Sequence, residues 1–127
     1  QIDLQITNLG LINDDVLLAK VYSLSDVYLT TAIQEAFGKT VVESMACGTP
    51  VVCFDNSGPS DLVTHKKEGY LAKAFSTIDV ADGIEWIINN QNYKLLCKNS
   101  RKRALENFDY RVTSKKYIEL YKRKLKK

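Results

Sequence analysis

Two carboxylates, Glu35 and Glu43, stand with seven residues between them and Gly38 inside the interval. The run is Glu35-Ala36-Phe37-Gly38-Lys39-Thr40-Val41-Val42-Glu43-Ser44-Met45-Ala46-Cys47-Gly48-Thr49-Pro50-Val51-Val52. A strand reads as ending near Thr30, and a helix as running from Gly38 or Lys39 to Cys47. In an open parallel sheet, ligands bind outside the carboxyl ends of the strands. A helix start at that place offers unpaired N–H groups and positive potential to a phosphate. Gly38 has no side chain to keep such a ligand away from the backbone. The two carboxylates cannot bind a phosphate themselves. They are suited to accepting hydrogen bonds from sugar hydroxyls, which arrive in vicinal pairs. The residues alone leave a plainer reading open, because glutamate in the first turns of a helix also suits the helix dipole.

The elements that must position this segment follow from the pattern on either side of it. Ile2, Leu4 and Ile6 alternate with polar residues, which predicts a half-exposed edge strand over 2–7, ended by Leu9-Gly10. Asp14 or Asp15 starts a helix whose apolar positions are Val16, Leu17, Ala19, Val21 and Leu24. Asp26 to Thr30 is a short strand. After the central helix, Gly48 is placed to end it in a left-handed conformation, and Pro50 cannot extend it. Val51-Val52-Cys53-Phe54 is a continuous apolar run, the mark of a central strand covered on both faces.

Turn formers fill 55–61, where Ser60 or Asp61 is expected to cap a brief helical turn. Gly69 to Ala72 is the last strand, and 77–90 an amphipathic helix with Val80, Ile84, Ile87 and Ile88 inward and Trp86 as core or groove filler. Two more helices are expected near 92–107 and 110–126. The second places Tyr110, Tyr117, Tyr121 and Leu125 on one face and frays over 122–127. Strands alternating with helices predict an α/β fold, a Rossmann-like parallel sheet with flanking helices, in one domain over 1–127.

Composition narrows the class. With 45% hydrophobic and 26% charged residues, the chain reads as an ordinary globular protein, and no apolar run approaches the ~20 residues that span a bilayer. The opening Gln1-Ile2-Asp3-Leu4 lacks both a Met and the features of a signal peptide, so a fragment of a longer chain is expected. Cys47, Cys53 and Cys97 lack metal-ligand spacing, and no metal site is expected; their odd number fits a reducing, cytoplasmic setting. His65, beside Lys66 and Lys67, has no Ser or Cys partner and reads as surface loop.

Residues 98–127 carry twelve Lys/Arg against three Asp/Glu, whereas 1–97 carry six against twelve. That basic tail reads first as a solvated helix face and second as a contact for an anionic membrane surface. Its tyrosines lie on the apolar face rather than among the basic residues, which argues against nucleic acid.

The central segment closely resembles the signature of glycosyltransferase family four, which also resembles bacterial glycogen synthases. There two glutamates stand at this spacing in a pattern like E-G-F-G-x-x-x-x-E-A-M-A-x-G-x-P-V-V. Here it reads E-A-F-G-K-T-V-V-E-S-M-A-C-G-T-P-V-V. The resemblance continues in Leu9-Gly10, in Asp26-Val27, in Ser57-Gly58-Pro59-Ser60-Asp61, which is similar to the family's G-G-x-P-E loop, and in Gly69-Tyr70-Leu71. Thr31-Ala32 replaces the family's Pro-Ser, Ala36 its Gly, and Asp61 its loop glutamate; these departures bear on donor specificity rather than on class.

The resemblance implies the C-terminal, donor-binding lobe of a two-lobed GT-B enzyme, present in part. It implies retaining transfer of a sugar from a UDP- or GDP-linked donor to a glycan or lipid-linked acceptor, in cell-surface polysaccharide synthesis and without a metal cofactor. Glu35 would be the catalytic residue, contacting donor-sugar hydroxyls, and Glu43 would hold the ribose. Phe37, Gly38, Lys39 and Thr40 would complete the substrate site, with the N–H groups of the last three facing the pyrophosphate.

The family's upstream Arg/Lys pair, its acceptor lobe and two further strands are not found in this sequence, so the 127 residues alone are expected to bind without transferring. In the family's strand order 3-2-1-4-5-6, the strand over 2–7 would take the edge. A non-catalytic nucleotide-sugar-binding module is the alternative. A receiver-type regulatory domain fits poorly, since Asp55 follows the central strand but Thr7-Asn8-Leu9 offers no acidic cluster.

Overall fold

A computed structural model of the chain describes residues 5–125. Three short parallel strands, β1 (Tyr28–Thr30), β2 (Val51–Phe54) and β3 (Gly69–Ala72), form one sheet in the order β1-β2-β3. Their registers set Tyr28 beside Val51 and Val51 beside Gly69. Six helices accompany them among the described residues: α1 (Asp15–Leu24), α2 (Lys39–Ala46), α3 (Gly58–Leu62), α4 (Thr77–Ile88), α5 (Tyr93–Phe108) and α6 (Tyr110–Leu125).

β2 is buried throughout, and its residues alternate between two cores. Val51 and Cys53 join Val41 and Met45 of α2, Leu62 of α3 and Ala104 of α5. Val52 and Phe54 join Ala72, Ile87 of α4 and Leu96 of α5. A strand with apolar cover on both faces must be apolar at every position, which is the physical content of the Val-Val-Cys-Phe run.

Helix ends follow local chemistry. Asp14 caps α1, its carboxylate accepting from the N–H of Val16 at 2.8 Å and of Leu17 at 3.0 Å. α2 gives way at Cys47, and Gly48 follows with φ 85° as its position requires. The N-cap of α3 is Ser57, upstream of the expected Ser60 or Asp61, because Pro59 suits the first turn and the helix starts before it.

Three expectations change. Gln5, Ile6 and Thr7 lie in no strand and Ile6 is exposed, while Ile2 and Leu4 fall outside the described residues. An alternating pattern forms a strand only when a neighbour supplies hydrogen bonds and one face is covered. Ile88, expected inward, is exposed as the last residue of α4, because its neighbour Ile87 takes the buried face and successive helix positions point about 100° apart. The basic stretch is more than a solvated face. The Arg101 guanidinium donates to the carbonyl of Ala46, the last residue of α2. Arg103 donates to the carbonyls of Leu62 and Asp61 at the end of α3. Basic side chains thereby satisfy carbonyls that a helix end leaves without partners.

Candidate functional site

The site segment lies where β1 gives out and α2 begins, at the carboxyl end of the sheet. The loop over 31–38 is held by the start of α3. The N–H of Gly58 donates to the carbonyl of Glu35 at 2.8 Å, and a Cβ on Gly58 would stand 2.5 Å from that same oxygen. Only glycine permits so close an approach.

Glu35 turns its carboxylate back onto the start of α2. Its Oε1 accepts from the N–H of Phe37 at 3.2 Å and of Gly38 at 3.1 Å. Gly38 is the N-cap, in the left-handed region at φ 94°, and a Cβ there would come within 3.1 Å of Pro59 Cγ and 3.3 Å of Val41 Cγ2. Glycine is therefore required by the turn and by packing, besides any ligand. The next two N–H groups, of Lys39 and Thr40, make no hydrogen bond among the described residues. The first-turn donors and the dipole end make this an anion-favouring position.

One turn further along, Glu43 faces a cleft of about 370 Å³ between α1 and α2, lined by Asp15, Leu18, Tyr22, Lys39 and Cys47 among others. Its Oε2 accepts from the Tyr22 hydroxyl at 3.4 Å, and its Oε1 lies 3.8 Å from Lys39 Nζ. Burial first, and then the Glu43 charge, push the Tyr22 phenol up to about 12, so it remains a proton donor.

The segment's side chains do not all converge. Glu43 and Lys39 share the α1–α2 cleft; Glu35 is not among its lining residues. Thr40 Oγ1 accepts from the Tyr28 hydroxyl at 2.8 Å, which ties α2 to β1. Phe37 points to the other side, its ring edge-on to Phe108 at 5.9 Å and beside Tyr110 in the hollow where α5 meets α6.

Sequence reasoning missed Tyr22 and Tyr28, whose rings meet edge-on at 5.8 Å and whose hydroxyls both reach α2. The available signal was a tyrosine within each of the two elements preceding the motif. No group of three or more metal-ligating side chains is clustered among the described residues.

The family model for glycosyl transferases group 1 matches residues 4–107. A D-inositol 3-phosphate glycosyltransferase from Rhodococcus erythropolis is 30% identical over 106 residues, which cover 84% of this chain and 24% of that protein. An N,N'-diacetylbacillosaminyl-diphospho-undecaprenol alpha-1,3-N-acetylgalactosaminyltransferase from Campylobacter jejuni is 28% identical over 80% of this chain and 27% of its own length.

Among solved structures, sucrose-phosphate synthase from Thermosynechococcus elongatus superposes with a TM-score of 0.77 at 28% identity, covering 86% of this chain and 28% of that one. Anabaena HepE, solved in complex with UDP, gives 0.74 at 27% identity, over 81% of this chain and 29% of its own. The chain thus spans roughly a quarter to a third of the length of these relatives. The fold is that of the corresponding part of GT-B glycosyltransferases. Motif, sheet order and family model agree: the chain belongs to the glycosyl transferases group 1 family.

Proposed function

We propose that the chain is the donor-binding part of a glycosyltransferase that moves a sugar from a UDP- or GDP-linked donor to a glycan or lipid-linked acceptor with retention of configuration. The observation that carries this is the α2 N-terminus, where unpaired N–H groups stand beside the cleft containing Glu43. Supporting this, HepE, which was also solved in complex with UDP-glucose, matches this chain over 29% of its own length. In our reading, the pyrophosphate meets the N–H groups of Lys39 and Thr40, with Gly38 joining if Glu35 releases it. Glu43 accepts from the ribose hydroxyls, and Glu35 from hydroxyls of the donor sugar.

During transfer the bond from the anomeric carbon to the diphosphate oxygen breaks as the bond to the acceptor oxygen forms on the same face, and the acceptor's hydroxyl proton passes to the departing diphosphate oxygen. Negative charge grows on the leaving diphosphate, and fixed donors aimed at such charge are commonly the largest catalytic contribution. The helix start supplies part of it without a metal. Positioning of the acceptor is the other large contribution, and a partner lobe must supply it.

The full protein, in this reading, works in the cytoplasm on cell-surface polysaccharide, at the inner face of the membrane. Support comes from α6, where exposed Tyr110, Tyr117, Tyr121 and Leu125 accompany Lys115, Lys116, Lys122 and Arg123. Apolar and basic residues so combined suit an anionic lipid surface.

The test is calorimetric titration with UDP and GDP, followed by assays of sugar transfer and release with the matching nucleotide sugars in the presence of EDTA. The 127-residue chain is expected to bind one nucleoside diphosphate weakly and to transfer nothing; the full-length enzyme is expected to transfer. Turnover by the 127 residues alone would refute the division of labour proposed here. A full-length protein that binds the donor and never transfers would favour a non-catalytic binding module.

A further inference from the structure

Glu43 is a flexible side chain, and a flexible carboxylate recognises a pair of hydroxyls well only if something holds it. Tyr22 is placed to do so. Its side chain is buried in α1, two residues before the helix ends. Its carbonyl accepts from the buried Thr49 hydroxyl at 2.6 Å, which pins this end of α1 to the connection between α2 and β2. Its ring packs edge-on against Tyr28, at an interplanar angle of 74°. With backbone and ring both fixed, the hydroxyl donates to Glu43 Oε2, its one acceptor among the described residues. The other carboxylate oxygen lies near Lys39, whose side chain is 88% exposed and pairs at 3.8 Å, a contact easily exchanged for a ligand. At 3.4 Å the Tyr22 contact is long, and hydrogen bonds of this kind commonly tighten when a ligand arrives.

We propose that Tyr22 is a positioning residue for nucleotide recognition: it holds one oxygen of Glu43 so that the other is presented to the vicinal hydroxyls of the ribose. The proposal rests on reading Glu43 as the ribose ligand. Tyr22→Phe removes the hydroxyl and keeps the ring, and a denaturant melt confirms that the fold is retained.

The affinities of UDP and of 2',3'-dideoxy-UDP are then measured for wild type, Tyr22→Phe, Glu43→Ala and the double variant, and the set is repeated with the two guanosine diphosphates. Wild type is expected to prefer the natural nucleotide. Tyr22→Phe should weaken it by roughly three- to tenfold, leave the dideoxy analogue unchanged, and have no effect once Glu43 is alanine. Equal weakening of both nucleotides, or an undiminished effect in the Glu43→Ala background, would assign Tyr22 a purely structural role and overturn the proposal. A wild type that binds both nucleotides alike, or neither, would instead overturn the ribose reading of Glu43, and this proposal with it.

Discussion

The carboxylate of Glu35 accepts a hydrogen bond from the N–H of Gly38 at 3.1 Å, so the residue proposed to meet the donor sugar also closes the start of α2. Structural and chemical roles can therefore be separated by substitution. Glu35→Gln keeps an acceptor oxygen and should leave stability within about 0.5 kcal/mol of wild type. Glu35→Ala leaves two N–H groups without a protein partner and should cost about 0.5–2 kcal/mol, as cap deletions do. Urea unfolding measures both, and transfer by the full-length enzyme should fall with either.

Gly38→Ala combines a left-handed backbone with a Cβ pressed within 3.1 Å of Pro59. The conformational cost alone is about 1–2 kcal/mol. We expect a lower urea midpoint with an unchanged m-value, together with weaker nucleotide binding. An unaltered midpoint would show that the loop relaxes more easily than this packing implies.

Arg103 ties α5 to the end of α3 through two carbonyls. Arg103→Ala should destabilise by about 1.5–3 kcal/mol, the range for hydrogen bonds that involve a charged group. Arg103→Lys should recover only part of that, since an ammonium cannot present the planar fork. If alanine and lysine prove equally stable, the guanidinium geometry is irrelevant.

Burial, and then the charge of Asp55, push the Cys53 thiol from 9.0 up to about 12. A folded value above the unfolded one means that this contribution is complete below pH 9 and is lost as pH rises toward 12. Tyr22 adds a second alkaline loss, between the ordinary phenol value of 10.0 and about 12. Urea midpoints measured from pH 8 to 11 should decline, and Cys53→Val should decline less. Parallel curves for the two proteins would remove the thiol from the explanation.

Vesicle co-sedimentation of the chain should rise with the fraction of anionic lipid and fall with salt. Replacing Lys115, Lys116 and Lys122 by glutamine should weaken binding, each basic residue contributing on the order of 1 kcal/mol. Indifference to lipid charge would remove the membrane from the proposal.

The family and the order of the elements over 15–125 were legible in the sequence. Those properties are written in local chemistry: the turn at Gly48, the unbroken apolar run of β2, and the motif between Glu35 and Val52. Which side chains share a face was not legible there and emerges only from the packed fold. Phe37 and Glu43 belong to one motif, yet Phe37 lies against Phe108 and Glu43 opens into the α1–α2 cleft. Tyr22 reaches Glu43 across 21 positions of sequence, and Arg103 reaches Leu62 across 41. The pattern over 5–7 likewise forms no strand, because pairing needs a neighbour that no local pattern supplies. Periodicity reports burial along one element, whereas a hydrogen bond between elements depends on how two helices come to rest beside each other. That is set by the packing of the whole core and leaves no mark in the spacing of either residue.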